Sequence, residues 1–117
     1  MSEAILKINE SVKEGVCVIT PSGDIDAHTA PLFKEAIERN INSGNIRIVF
    51  DFSSLNYISS AGIGLLNAAL NSVKGKGGKI SIACASSSVH DTLDVMYFTK
   101  KVPPRQNLDS AMADVKA

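Results

Sequence analysis

Hydrophobic positions along this chain fall into short blocks of two kinds. Residues 5–9, 15–20 (GVCVIT), 46–52 (IRIVFDF) and 79–83 (KISIA) are runs of apolar and β-branched residues. Such runs predict strands, and the second and third are apolar enough to be buried or central in a sheet. Elsewhere the apolar residues recur every three or four positions, the spacing of a helix face. Phe33, Ala36, Ile37 and Ile41 form one such face. Asp26 and Thr29 are its candidate N-caps, Pro31 is tolerated in its first turn, and Gly44 ends it in a left-handed conformation.

A second helix is predicted over 60–74, with Ile63, Leu66, Leu70 and Val73 on one stripe and Gly75, Gly77 and Gly78 stopping it. Ser86, Ser87 and Ser88 offer caps to a third helix carrying Val89, Leu93 and Met96. Pro103-Pro104 separates it from a last helix, capped by Asn107 and apolar at Leu108, Ala111, Met112 and Val115. Pro21-Ser22-Gly23 reads as the break after the second strand, residues 53–59 as a loop, and Lys101-Val102 as a possible short strand.

The resulting order, β-β-α-β-α-β-α-α, implies an α/β fold, one domain over residues 1–117. Its sheet is mixed and mostly parallel, of four to five strands, with helices packed mainly on one face. The first strand is close enough to the second to pair antiparallel with it.

Composition narrows the function classes. Twelve Lys and Arg balance twelve Asp and Glu. A neutral chain speaks against nucleic acid as the default partner, since phosphate binding needs a cationic excess. No apolar run approaches a membrane span, and residues 1–10 lack the apolar core of a signal peptide. Cys17 and Cys84 sit singly in apolar runs and read as small buried hydrophobes. Unpaired thiols without a signal sequence point to the cytoplasm. His28 and His90 are too far apart for a metal pair, and no GxxxxGK[ST] or GxGxxG loop is present, so no cofactor is expected.

Sites in open α/β sheets collect at the C-terminal ends of the parallel strands. Two segments of this chain belong there. The first is Gly23, Asp24, Ile25, Asp26, Ala27, His28 and Thr29; the second runs from Asp51 through Ser59, Ser60, Ala61 and Gly62. Ser59 and Ser60 directly precede an amphipathic helix that carries Gly62 and Gly64 in its first turns. Each glycine costs about 1 kcal/mol against alanine in a helix interior. Either something must approach this backbone closely, or the glycines serve helix-on-strand packing and the serines are plain caps. On the first alternative, a phosphate on a serine here would be stabilised by the helix dipole and free N–H groups. Asp24, Asp26 and Asp51 invite an acid–base or metal reading, but Asp26 also reads as a cap, and Asp51 as a strand-end residue accepting loop N–H groups. No histidine or cysteine follows a strand with a plausible base partner, which disfavours an enzyme.

At these residues the sequence resembles a STAS domain of the bacterial anti-sigma factor antagonist group. Gly23-Asp24-Ile25-Asp26-Ala27-His28-Thr29-Ala30 is similar to the family's lead into the first helix, G-x-(I/L)-D-x-x-T/S-A. Ile48 to Ser53 resembles its central strand and loop, and Tyr57-Ile58-Ser59-Ser60-Ala61-Gly62-Ile63-Gly64-Leu65-Leu66 its phosphorylation motif, (Y/F)-(I/M)-D-S-(S/T)-G-(L/I)-G-x-L. The likeness spans nearly the whole chain, including the turn Gly77-Gly78-Lys79.

The resemblance implies a partner switch rather than an enzyme. An anti-sigma factor serine kinase phosphorylates the chain, a phosphoserine phosphatase restores it, and the unphosphorylated form binds the kinase and frees a sigma factor. It places the acceptor on Ser60, with Ser59 second. It matches Asp26 to the family's first-loop aspartate and Asp51 to a residue close to the acceptor. Because the two segments share one sheet edge, the contact surface is expected over Asp24 to Thr29 and Ser59 to Leu66, with Asp24, Asp26, His28, Thr29, Asp51, Ser59, Ala61, Gly62, Ile63 and Gly64 as partner contacts. Neither nucleic acid nor membrane is implied, and nothing demands a dimer. Ser59 stands where the family usually has aspartate, Ala61 where it has a hydroxyl residue, and Tyr97-Phe98 where it often has Gly-Leu. An unphosphorylated STAS scaffold or sensor subunit of a larger assembly is the alternative.

Overall fold

Alternation along Val16 to Ile19 sets the architecture. Cys17 and Ile19 face one side of the sheet, Val16 and Val18 the other, and all four are buried. A strand apolar on both faces must be covered on both. In the computed structural model, which describes residues 6–117, helices lie on both sides of the sheet.

The elements are β1 (Lys7–Lys13), β2 (Val16–Ile25), α1 (Ala30–Asn42), β3 (Arg47–Asp51), β4 (Leu55–Ile58), α2 (Ser60–Lys74), β5 (Lys79–Ala83), α3 (Ser87–Val95), α4 (Phe98–Lys101) and α5 (Leu108–Lys116). The strand order is β1-β2-β3-β5, with β4 pairing β2. β1 runs antiparallel to β2; all other pairings are parallel. The mixed, mostly parallel five-stranded sheet is therefore as expected. Ile5, which the sequence placed in the first strand, lies outside the described residues.

The larger core joins Cys17, Ile19, Ile48, Phe50 and Ile82 of the sheet to Phe33, Ile37 and Ile41 of α1, Ile63, Leu66 and Val73 of α2, Leu93 of α3 and Phe98 of α4. Phe33 meets Phe50 edge-on at 5.7 Å between ring centroids. The smaller core sets Val16, Val18, Val49 and Ala83 against Ala111, Met112 and Val115 of α5. Helices thus lie mainly on one face, with α5 alone behind the sheet.

Four local expectations need correction. Pro21-Ser22-Gly23 does not end β2, which continues to Ile25. Pro21 falls between Ile19, where the ladder to β3 stops, and Gly23, where that to β4 begins, so its missing N–H interrupts neither. Residues 53–59 are not all loop: Leu55–Ile58 is a strand, with Leu55 and Ile58 buried. Lys101-Val102 is no strand; Lys101 ends α4, and the added bridge to β5 is made instead by Arg105 with Ala83. Met96 is no part of the buried face of α3; it is the C-cap residue and is exposed.

Candidate functional site

Two helix starts are held side by side by β2 and β4. Asp24 pairs with Tyr57 and Ile25 with Ile58, after a bulge between Gly23 and Asp24. Gly23 has φ +118°, a region that side-chain-bearing residues rarely enter. One residue further on, the Ser59 N–H donates to the Ile25 carbonyl at 2.8 Å. The turn leading into α1 and the start of α2 are thereby fixed to adjacent backbone.

The first of them, Asp24 to Thr29, satisfies itself. The Asp26 carboxylate accepts from the His28 N–H at 2.9 Å and the Thr29 N–H at 3.0 Å. The Thr29 hydroxyl donates to the Asp24 carbonyl at 2.8 Å and accepts from the Asp26 N–H at 2.9 Å. Thr29 is the N-cap residue of α1 but makes no side-chain cap bond, because its hydroxyl is turned back into this turn. Asp26 caps the turn rather than the helix. The Thr29 N–H, and after it the His28 N–H, hold the Asp26 carboxyl below the usual carboxylate range. His28 and Ala27 are exposed and Thr29 is buried.

The start of α2 separates the two serines. Ser59 is the N-cap: it is partly buried, its backbone is extended, and its hydroxyl accepts from the Gly62 N–H at 3.3 Å. Ser60 is the first helical residue, and it is exposed, as is Ala61. At this position the N–H groups of Ser60 and Ala61 have no carbonyl one turn back to pair with. Ser60 therefore offers a solvent-facing hydroxyl at the positive end of a helix of 15 residues.

Gly62 and Ile63 lie inside the molecule. A Cβ on Gly62 would come within 2.7 Å of Ile25 and of Ile58, and Ile63 is fully buried. Both seat α2 on the ends of β2 and β4, and Gly62 permits a close approach within the fold. Gly64 faces open space and remains a surface position. The Asp51 carboxylate accepts from the Ser53 N–H at 3.1 Å, and no hydrogen bond joins it to Ser59 or Ser60. Burial first, and Asp51 second, push the Cys84 thiol up. Among the described residues no cluster of His, Cys, Asp and Glu could hold a metal ion, and no helix is long and apolar enough to cross a membrane.

The sequence reading missed the neighbour of Ser60. A cleft of about 250 Å³ is lined by Ser60 on one side and by Asp91, Thr92, Val95 and Met96 of α3 and its cap on the other. The available signal was Val95-Met96-Tyr97, three consecutive apolar residues that no single helix stripe can bury.

These features define an α/β protein whose organised edge is a pair of clamped helix starts, one internally satisfied and one presenting a bare serine. The chain belongs to the STAS domain family, whose match covers residues 7–111. It is 24% identical over 112 residues to the anti-sigma F factor antagonist of Paenibacillus polymyxa, across 95% of this chain and 96% of that one. The crystal structure of an anti-sigma factor antagonist from Mycobacterium paratuberculosis superposes with a TM-score of 0.89 at 24% identity, covering 97% of this chain and 96% of the other. The Bacillus cell fate determinant SpoIIAA in its phosphorylated form gives 0.70 at 17% identity, over 94% and 98%.

Proposed function

We propose that this chain is an anti-sigma factor antagonist switched by phosphorylation of Ser60. The observation that carries the reading is the division of labour between the two serines. Ser59 is consumed as the cap, whereas Ser60 is exposed at the helix start. An anti-sigma factor kinase would transfer the γ-phosphoryl group of ATP to the Ser60 oxygen, releasing ADP and the hydroxyl proton; a phosphoserine phosphatase would hydrolyse the ester. The named relatives are anti-sigma antagonists, which supports the choice of partner. Binding, not catalysis, is the activity proposed, with Asp24, Asp26, His28, Ala61 and Gly64 on the flanks of the contact surface and the buried Thr29 holding the Asp24–Asp26 turn beneath it.

Serine at position 59 fits this reading. Asp and Ser are both good N-caps, so replacing the aspartate common in the family by Ser59 keeps the cap and removes only a charge. The switch then works by local electrostatics. A neutral hydroxyl can be covered by a partner at little cost if it finds a hydrogen bond. A phosphate adds about −1.5 to −2 charges at neutral pH. The free helix start and water stabilise that anion, but a partner lying on it would strip the water away.

The test is incubation with the cognate anti-sigma factor kinase and ATP, read by intact mass and peptide mapping. One phosphate on Ser60, absent from Ser60→Ala, is expected, and Ser60→Ala should bind the kinase constitutively. Label on Ser59, or no label together with stable association with other STAS proteins, would overturn the reading, the latter in favour of a scaffold.

A further inference from the structure

Beside Ser60 the surface carries an apolar shoulder that no hydrophobic residue among the described ones covers. Val95 is 75% exposed, Met96 45% and Tyr97 68%, while the next residue, Phe98, is 0% exposed. Isolated exposed hydrophobes are ordinary, but a contiguous group marks an interaction surface. The backbone enforces this display. Tyr97 has φ +60° and ψ +15°, a left-handed conformation that favours glycine. It is held there by its N–H to the Asp94 carbonyl at 2.9 Å, by Thr99 to the Asp94 carboxylate at 2.7 Å, and by the burial of Phe98. The Lys100 ammonium lies 5.9 Å from the centre of the Tyr97 ring, whose remaining surface is open to solvent. A residue kept in an unfavourable backbone conformation with most of its ring exposed is one whose display is maintained at a cost.

Val95 and Met96 of the shoulder share one cleft with Ser60, Asp91 and Thr92. Its volume of about 250 Å³ falls below the roughly 300–1,000 Å³ of small-molecule sites; it suits one apolar side chain.

Resting on the reading of Ser60 as the switch, we propose that this cleft receives an apolar anchor side chain of the anti-sigma factor kinase, with Val95, Met96 and Tyr97 packing around it. The occupant follows from continuity: Ser60 is both the wall of the cleft and the residue that the kinase must reach. The arrangement also locates the phosphate effect. A phosphate on Ser60 would stand at the cleft mouth opposite Asp91, placing a dianion beside a carboxylate where an apolar group must enter. Anchor docking and phosphorylation thus exclude one another at one spot.

The experiment is calorimetric titration of the full chain with the kinase that labels Ser60, in the presence of ADP. Val95→Ser combined with Met96→Ala should weaken binding tenfold or more, as the loss of a central hot spot does. Val12→Ser, at a 60% exposed apolar position on β1, should leave it unchanged. Tyr97→Gly should raise the unfolding midpoint, by relieving the left-handed tyrosine, and yet lower the affinity, a pairing that a merely structural residue would not give. Affinity within twofold of native in both shoulder variants overturns the proposal and leaves the switch intact. So does a self-association, read by sedimentation velocity, that the double variant abolishes without changing kinase affinity, since the occupant is then a second copy. Native protein that does not bind the kinase at all overturns the switch and the anchor together.

Discussion

The turn into α1 and the start of α2 lie on the same edge, fastened to adjacent strands, and differ in what they leave unpaired. Between Asp24 and Thr29 the carboxylate, the hydroxyl and the neighbouring N–H groups answer one another. At Ser59-Ser60 one hydroxyl closes the helix and the next is left to solvent. The first region is a finished platform and the second an open position. If Ser60 is the switch, as proposed, a phosphate there would meet none of the bonds that close the first region, and a change of charge need not become a change of fold.

The two first-turn glycines of α2 break this picture most sharply. Gly62→Val forces side-chain atoms into Ile25 and Ile58, which a Cβ would already approach to 2.7 Å. Overpacking of this kind costs about 1–3 kcal/mol and should lower the urea midpoint. Gly64→Ala meets open space and should instead stabilise by up to about 1 kcal/mol. If both behave alike, α2 is not seated as described.

Removing the cap is the next effect. Ser59→Ala should cost about 1 kcal/mol in chemical denaturation, whereas Ser60→Ala should fall within about 0.5 kcal/mol of native. A larger loss at Ser60 would mean that it, not Ser59, closes the helix.

The smallest effect concerns the platform. Asp26 has a folded pKa below its unfolded value of about 3.9. Its contribution is therefore present above the unfolded pKa and lost as pH falls through the folded pKa. Asp26→Asn should lower the urea midpoint slightly at pH 7 and narrow the gap between pH 7 and pH 3. An unchanged gap would show that the turn does not depend on the charge.

Most of the fold was legible because the apolar runs of β2, β3 and β5 and the stripes of α1, α2 and α5 are strong. Asn107 was legible as a cap, and its carboxamide accepts from the Ser110 N–H at 2.8 Å. β4 was not: it is four residues long, only Leu55 and Ile58 are buried, and its partner is the stretch of β2 beyond Pro21, which local rules read as a break. Ile63 was legible on the apolar stripe of α2, and packing was one of two readings open for Gly62; the sequence did not choose between them, because a motif gives adjacency along the chain and not the direction each residue faces. The cleft was hidden because Ser60 and Asp91 are brought together only by the packing of α3.

The two cores on either side of the sheet are unequal, and this bears on how the molecule fluctuates. Both helix starts and the cleft belong to the side where four helices share one apolar mass. Behind the sheet α5 stands alone on Val16, Val18, Val49 and Ala83, held also by Arg47 to the Val115 carbonyl and Lys116 to Glu14. Local opening is governed by such buried contacts, and units with few of them open first. In hydrogen exchange the α5 amides should therefore trade with solvent well before those of β2 and α2. The chain can loosen at its back while the edge that carries Ser60 stays in register.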